Sequence, residues 1–118
     1  MSTIEPEKVP ELQSNLPWSE QFRIIAKRYV DADAAATLLE ESKSATLSQM
    51  MLRLTDTISS VSGRETYVKA SDEWHEYIET MIVARKNANL LKFQLEYIRM
   101  KHWENNNHDA NKRAETRL

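Results

Sequence analysis

Apolar residues recur along this chain at spacings of three and four, and the recurrence falters at only two short polar stretches. Phe22, Ile25, Tyr29, Ala32, Ala36 and Leu39 form a first heptad seam. That is the pattern of a helix with one face laid against another helix, and it predicts a helix over about 17–42. Pro17 suits a first helical turn, Asn15 or Ser14 supplies the cap, and Glu20 favours the positive end of the helix dipole. The middle of the seam, from Ala32 to Ala36, is nearly all small, so a second backbone can approach closely there.

Around 41–46 the seam falters. Serine and threonine compete for backbone hydrogen bonds, and Thr46 with Gln49 matches a capping box. A second helix over about 45–56 follows, with Leu47, Met50, Met51 and Leu54 on its buried face. The rival reading is one continuous helix through a four-residue stutter. Residues 58–70, with three serines, two valines and Gly63, read as the main turn. Ser71 then caps a third helix that opens on Asp72 and Glu73. Trp74, Tyr77, Met81, Ala84, Ala88, Leu91, Leu95 and Ile98 hold its heptad, and Ile78, Ile82, Phe93 and Tyr97 widen the apolar face. This helix is predicted over about 72–104, roughly 50 Å long. Asn105, Asn106 and Asn107 are poor helix formers and are expected to fray or kink it, leaving a tail at 105–118 that can resume as helix behind Asp109. Residues 1–16, with Pro6 and Pro10 and no apolar period, read as a flexible N-terminal arm before a single helical domain at 17–118.

The fold class is therefore all-α: an elongated three-helix bundle or helical hairpin with coiled-coil character. Charge order bears on which. The first helix begins basic (Arg23, Lys27, Arg28) and ends acidic (Asp33, Glu40, Glu41), whereas the third begins acidic and ends basic. Parallel packing sets opposite signs side by side, which predicts three helices running up, down and up. Exposed pairs contribute only ~0–1 kcal/mol each, so this is a bias.

Composition narrows the function classes. From Trp18 onward there is no proline and one glycine, Gly63, and the chain has no cysteine. Disulfides and thiolate chemistry are excluded. With 41% hydrophobic residues, 29% charged residues and a net charge of -2, no global field points to nucleic acid or membrane. No secretory leader is evident in residues 1–16, and no apolar run approaches the ~20 residues that span a bilayer. The expected setting is a cytoplasm.

No catalytic constellation is present, so no enzymatic activity, metal or cofactor is expected. His75, His102 and His108 form no zinc-helix pairing, and the acids are spread along helix faces rather than paired for acid–base work. Two surface features remain. Arg85, Lys92 and Arg99 recur every seven residues on one face of the third helix, able to track phosphates or an acidic partner, although Glu96 lies in the same stripe. Trp103 followed by a terminus carrying Lys112, Arg113 and Arg117 suits an anchor for another chain; the plainer alternative is that Trp103 covers the end of the bundle.

Ala70-Ser71-Asp72-Glu73-Trp74, the 84–89 stretch Ala-Arg-Lys-Asn-Ala-Asn and the ending from Trp103 through Ala110-Asn111-Lys112-Arg113-Ala114-Glu115-Thr116-Arg117-Leu118 resemble a family of small proteins of tailed bacteriophages and prophages, often encoded near single-strand annealing recombinases and exonucleases. The likeness covers most of the chain after residue 17. Family members often carry proline near 44 and 72, where this chain has Ser44 and Asp72. The resemblance implies a non-enzymatic accessory protein, in the cytoplasm of an infected host, that binds a host or phage protein of DNA recombination or defence. Direct DNA contact through the basic face, and a self-assembling coiled coil with a homodimer favoured, are the alternatives.

Overall fold

A computed structural model describes residues 15–116. They form four helices: α1 (Trp18–Glu41), α2 (Lys43–Leu52), α3 (Val61–Lys69) and α4 (Asp72–Thr116). Among the described residues there is no strand. The molecule is a helical hairpin measuring 84 × 25 × 18 Å. One arm is α1 continued by α2, the other is α4, and α3 fills the bend.

The interruption expected near residue 42 is a single residue wide. Ser42 keeps right-handed helical angles (φ -84°, ψ -4°). Its N–H donates to the Leu38 carbonyl at 3.0 Å, and its own carbonyl accepts from Thr46 N–H at 2.9 Å. The backbone ladder therefore passes through, and α2 continues in the direction of α1. Thr46 lies inside α2, so the anticipated Thr46–Gln49 capping box does not form, and the second helix spans 43–52 rather than 45–56. Pro17 occupies the N-cap of α1 without a side-chain cap bond. Gln21 instead closes the start, its Nε2 donating to the Leu16 carbonyl at 2.7 Å. Ser14, and the predicted arm up to that residue, lie outside the described residues.

Direction follows from the cross-arm contacts. Trp18 and Phe22 pack beside Ile98, Arg85 reaches Asp33 at 2.7 Å, the Tyr77 hydroxyl donates to the Leu39 carbonyl, and Arg53 meets Glu73 at 2.8 Å. Residue numbers rise along one arm as they fall along the other, so α1 and α4 are antiparallel. The parallel arrangement expected from charge order is thereby corrected. The chain reverses once, between 53 and 71, and exposed like charges are too weak to forbid that. Arg85, the first arginine or lysine of α4, also stands among the acids at the end of α1 and offsets them locally.

The heptads predicted for both arms supply the seam. Ile25, Leu91 and Ile98 form one buried cluster, flanked by Phe22, Tyr29 and Leu95. Met50, Val68 and Trp74 form a second at the bend, flanked by Leu47, Met51, Leu54 and Tyr77. Trp74 stacks on Tyr77 with ring centroids 5.7 Å apart. Between the clusters Ala36 and Ala88 are fully buried, as the small middle of the first seam requires.

The predicted turn at 58–70 contains a helix, α3. Ser60 caps it, accepting from Gly63 N–H at 3.1 Å. A Cβ on Gly63 would stand 2.6 Å from Ser60 Oγ and 3.0 Å from Ile58 Cγ2. A side chain here would crowd the capping hydroxyl of Ser60, and the glycine sits in a helical first turn, not in a left-handed bend. The cap on α4 is the expected one, Ser71 Oγ accepting from Trp74 N–H at 3.2 Å. The far end is not. α4 runs unbroken through Asn105, Asn106 and Asn107 to Thr116, about 68 Å in all. A few tenths of a kcal/mol per asparagine do not stop a helix already nucleated over eight turns.

Candidate interaction surface

Because α1 starts beside Ile98 and His102, α4 overhangs it. Every side chain from His102 to Thr116 is exposed. Trp103 is 65% exposed, so it does not cover the end of the hairpin. Lys112 and Arg113 are exposed on the overhang. Arg117 lies outside the described residues.

The basic stripe is divided by the fold. Arg85 is committed to α1: its guanidinium bonds Asp33 at 2.7 Å, Glu40 at 2.6 and 3.1 Å, and Thr37 at 3.2 Å. The hydrogen bonds from Arg85 hold the Glu40 carboxyl below its ordinary range, and Glu40 and Asp33 together raise the arginine's own pKa. Arg99 lies over the Phe22 ring, 5.8 Å from its centroid, beside an apolar notch formed with Trp18 and Ile98. Lys92 is exposed. The seven-residue spacing that aligned the three places them along the margin of the α1–α4 seam, where the first becomes structural.

A different set is brought together on the outside of α4. At 100° per residue, Ile82, Leu90, Phe93, Tyr97 and Met100 share a stripe roughly half a turn away from Ala84, Ala88 and Leu91, which face α1. All five are exposed, Phe93 by 63%. Ile82 and Leu90 border a shallow groove with Met81, Lys86 and Asn89. α4 thus has two apolar faces, one used within the chain and one without a partner among the described residues. The sequence pattern showed Ile82, Phe93 and Tyr97 as a broadening of one face; Leu90 and Met100 were missed. Their signal was present as a second 3–4 spacing, 90, 93, 97 and 100, offset by two positions from the heptad at 88, 91, 95 and 98.

Among the described residues no group of three or more His, Asp or Glu is placed to hold a metal ion, and no helix is long and apolar enough to cross a membrane. Comparison with family models, with curated proteins and with solved structures finds no match.

Proposed function

We propose that this protein works by binding, with the outer face of α4 as its working surface and another amphipathic helix as its partner. The observation that carries this is the exposed stripe from Ile82 to Met100. Single exposed apolar residues are ordinary, but the row Leu90, Phe93, Tyr97 and Met100 on one helix face marks an interaction site. Helix-in-groove and helix-on-helix recognition use anchors at this 3–4 spacing. The resemblance to phage proteins supports a partner in DNA recombination or host defence, met in the cytoplasm of an infected bacterium. The DNA-binding alternative loses Arg85 to the α1 seam and rests on Lys92, Arg99, Lys112, Arg113 and Arg117.

The test is capture from phage-infected cells with the wild-type chain and with Phe93→Glu as baits. Phe93 is exposed, so the variant keeps its fold. Proteins held by the wild type and released by the variant are the expected result. Identical captures contradict the proposal. Salt-titrated DNA binding separates the alternative, because phosphate contacts give a steep loss of affinity with salt.

A further inference from the structure

We infer that a second copy of this chain occupies the outer face of α4, its own α4 antiparallel, with a two-fold axis passing between Phe93 and Tyr97. This rests on the reading of that face as the working surface and names its occupant.

From Leu90 to Met100 the stripe is self-complementary in this register. Leu90 meets the partner's Met100, and Phe93 meets the partner's Tyr97, each contact occurring twice by symmetry, as an isologous interface requires. Just outside these apolar layers, Lys86 faces the partner's Glu104. Along the flanks, Lys92 falls beside the partner's Glu96, and Glu76 beside the partner's Lys112. Within one chain these charges are unused. Lys86, Lys92, Glu76, Glu96 and Lys112 have no ion pair among the described residues, and Glu104 meets Lys101 only at 3.6 Å, beyond hydrogen-bond range. A parallel, in-register pairing would set Lys86 on Lys86, Glu96 on Glu96 and Glu104 on Glu104, which is repulsive at each of these charged positions.

The length of α4 points to the same register. Residue 94 is the middle of Asp72–Thr116, so an axis between 93 and 97 overlaps the two helices almost end to end, over ~65 Å. The overhang at 103–116 then lies along residues 74–87 of the partner, with Lys112 on its flank beside the acidic start of the other α4. The overhang has no packing of its own in the hairpin, and an isolated helix of that length is marginal in water. The second copy supplies the missing support.

The chain has no cysteine, so introduced thiols are the only ones present. Lys86→Cys and Glu104→Cys variants are reduced, mixed and oxidised. A disulfide-linked dimer is expected in the mixture and in neither variant alone, since residue 86 is ~27 Å from its own copy in this register. Cross-linking of Lys86→Cys with itself would mean a parallel pair and overturns the inference, as does the absence of any cross-link. The two readings fail separately. No cross-link, with captures that still depend on Phe93, assigns the face to a different helix; no cross-link with captures that ignore Phe93 removes the binding role of the face itself.

Discussion

The Arg85 guanidinium lies 2.7 Å from the Asp33 carboxylate across the α1–α4 seam, with Glu40 on its other side at 2.6 Å. One α4 cation thus clamps two acids about two helical turns apart on α1. It holds the antiparallel arms in register at the level of the small residues Ala36 and Ala88, where there is little side-chain bulk to do so.

This clamp makes stability depend on acid. The folded-state pKa of Glu40 lies below its ordinary value of 4.5 because Arg85 hydrogen-bonds the charged form. Its contribution is fully present above about pH 4.5 and is lost as pH falls through the lower folded value. Arg85→Met is expected to lower Tm modestly at pH 7, less so in high salt, with the gap from wild type closing well below pH 4.5. Some acid slope persists in the variant, since Glu20 is shifted the same way by Arg23. A gap independent of pH and salt would show that Arg85 acts through packing instead.

Ile98→Ala removes a side chain that is 1% exposed in the cluster it forms with Ile25 and Leu91. The loss is expected to be about 2–5 kcal/mol in denaturant unfolding, large against the stability of a small domain. Trp103→Ala, a few residues further along the same helix but exposed, is expected to change stability by less than about 0.5 kcal/mol.

Ala88 tests the close approach of the arms. Ala88→Leu adds bulk at a fully buried position and is expected to cost about 1–3 kcal/mol by overpacking, although leucine is nearly as good a helix former. The same change at Ala110, exposed on the overhang, is expected to be neutral in the folded chain.

Amide hydrogen exchange separates the two halves of α4. Residues 74–98 are backed by both clusters and are expected to be protected. Residues 103–116 make only local contacts, such as Thr116 Oγ1 donating to the Lys112 carbonyl at 3.0 Å, and are expected to exchange rapidly at high dilution. Protection of 103–116 is expected to rise with protein concentration. Equal protection at every concentration would mean that the overhang is stabilised within its own chain.

How much of this was legible in the sequence follows from what each pattern encodes. The heptads from Phe22 to Leu39 and from Trp74 to Ile98 gave the seam and its small middle, because a buried stripe constrains residue type directly. Direction was not legible from charge, because exposed charges constrain topology weakly and one well-placed arginine, Arg85, reverses their sum. α3 was hidden by Gly63 and the serines around it, which signal a turn unless the Ser60 cap and the lack of room for a Cβ are seen. The Asn105–Asn107 run weakened the far end of α4 on propensity, but length and continuity outweighed it. At the candidate surface, Arg85, Lys92 and Arg99 were grouped by spacing alone, and only the position of α1 shows that Arg85 is spent on the fold. The outer stripe lay in the same residues, merged with the inner face until the seam defined which side was covered.

Sedimentation equilibrium over a wide concentration range, on the wild-type chain and on Phe93→Glu, tests self-pairing through the outer face of α4 most directly. The wild type is expected to pass from monomer to dimer as concentration rises, and the variant to stay monomeric with an unchanged helical circular dichroism spectrum. A wild type that is monomeric throughout, or a variant that dimerises as well as the wild type, would contradict it.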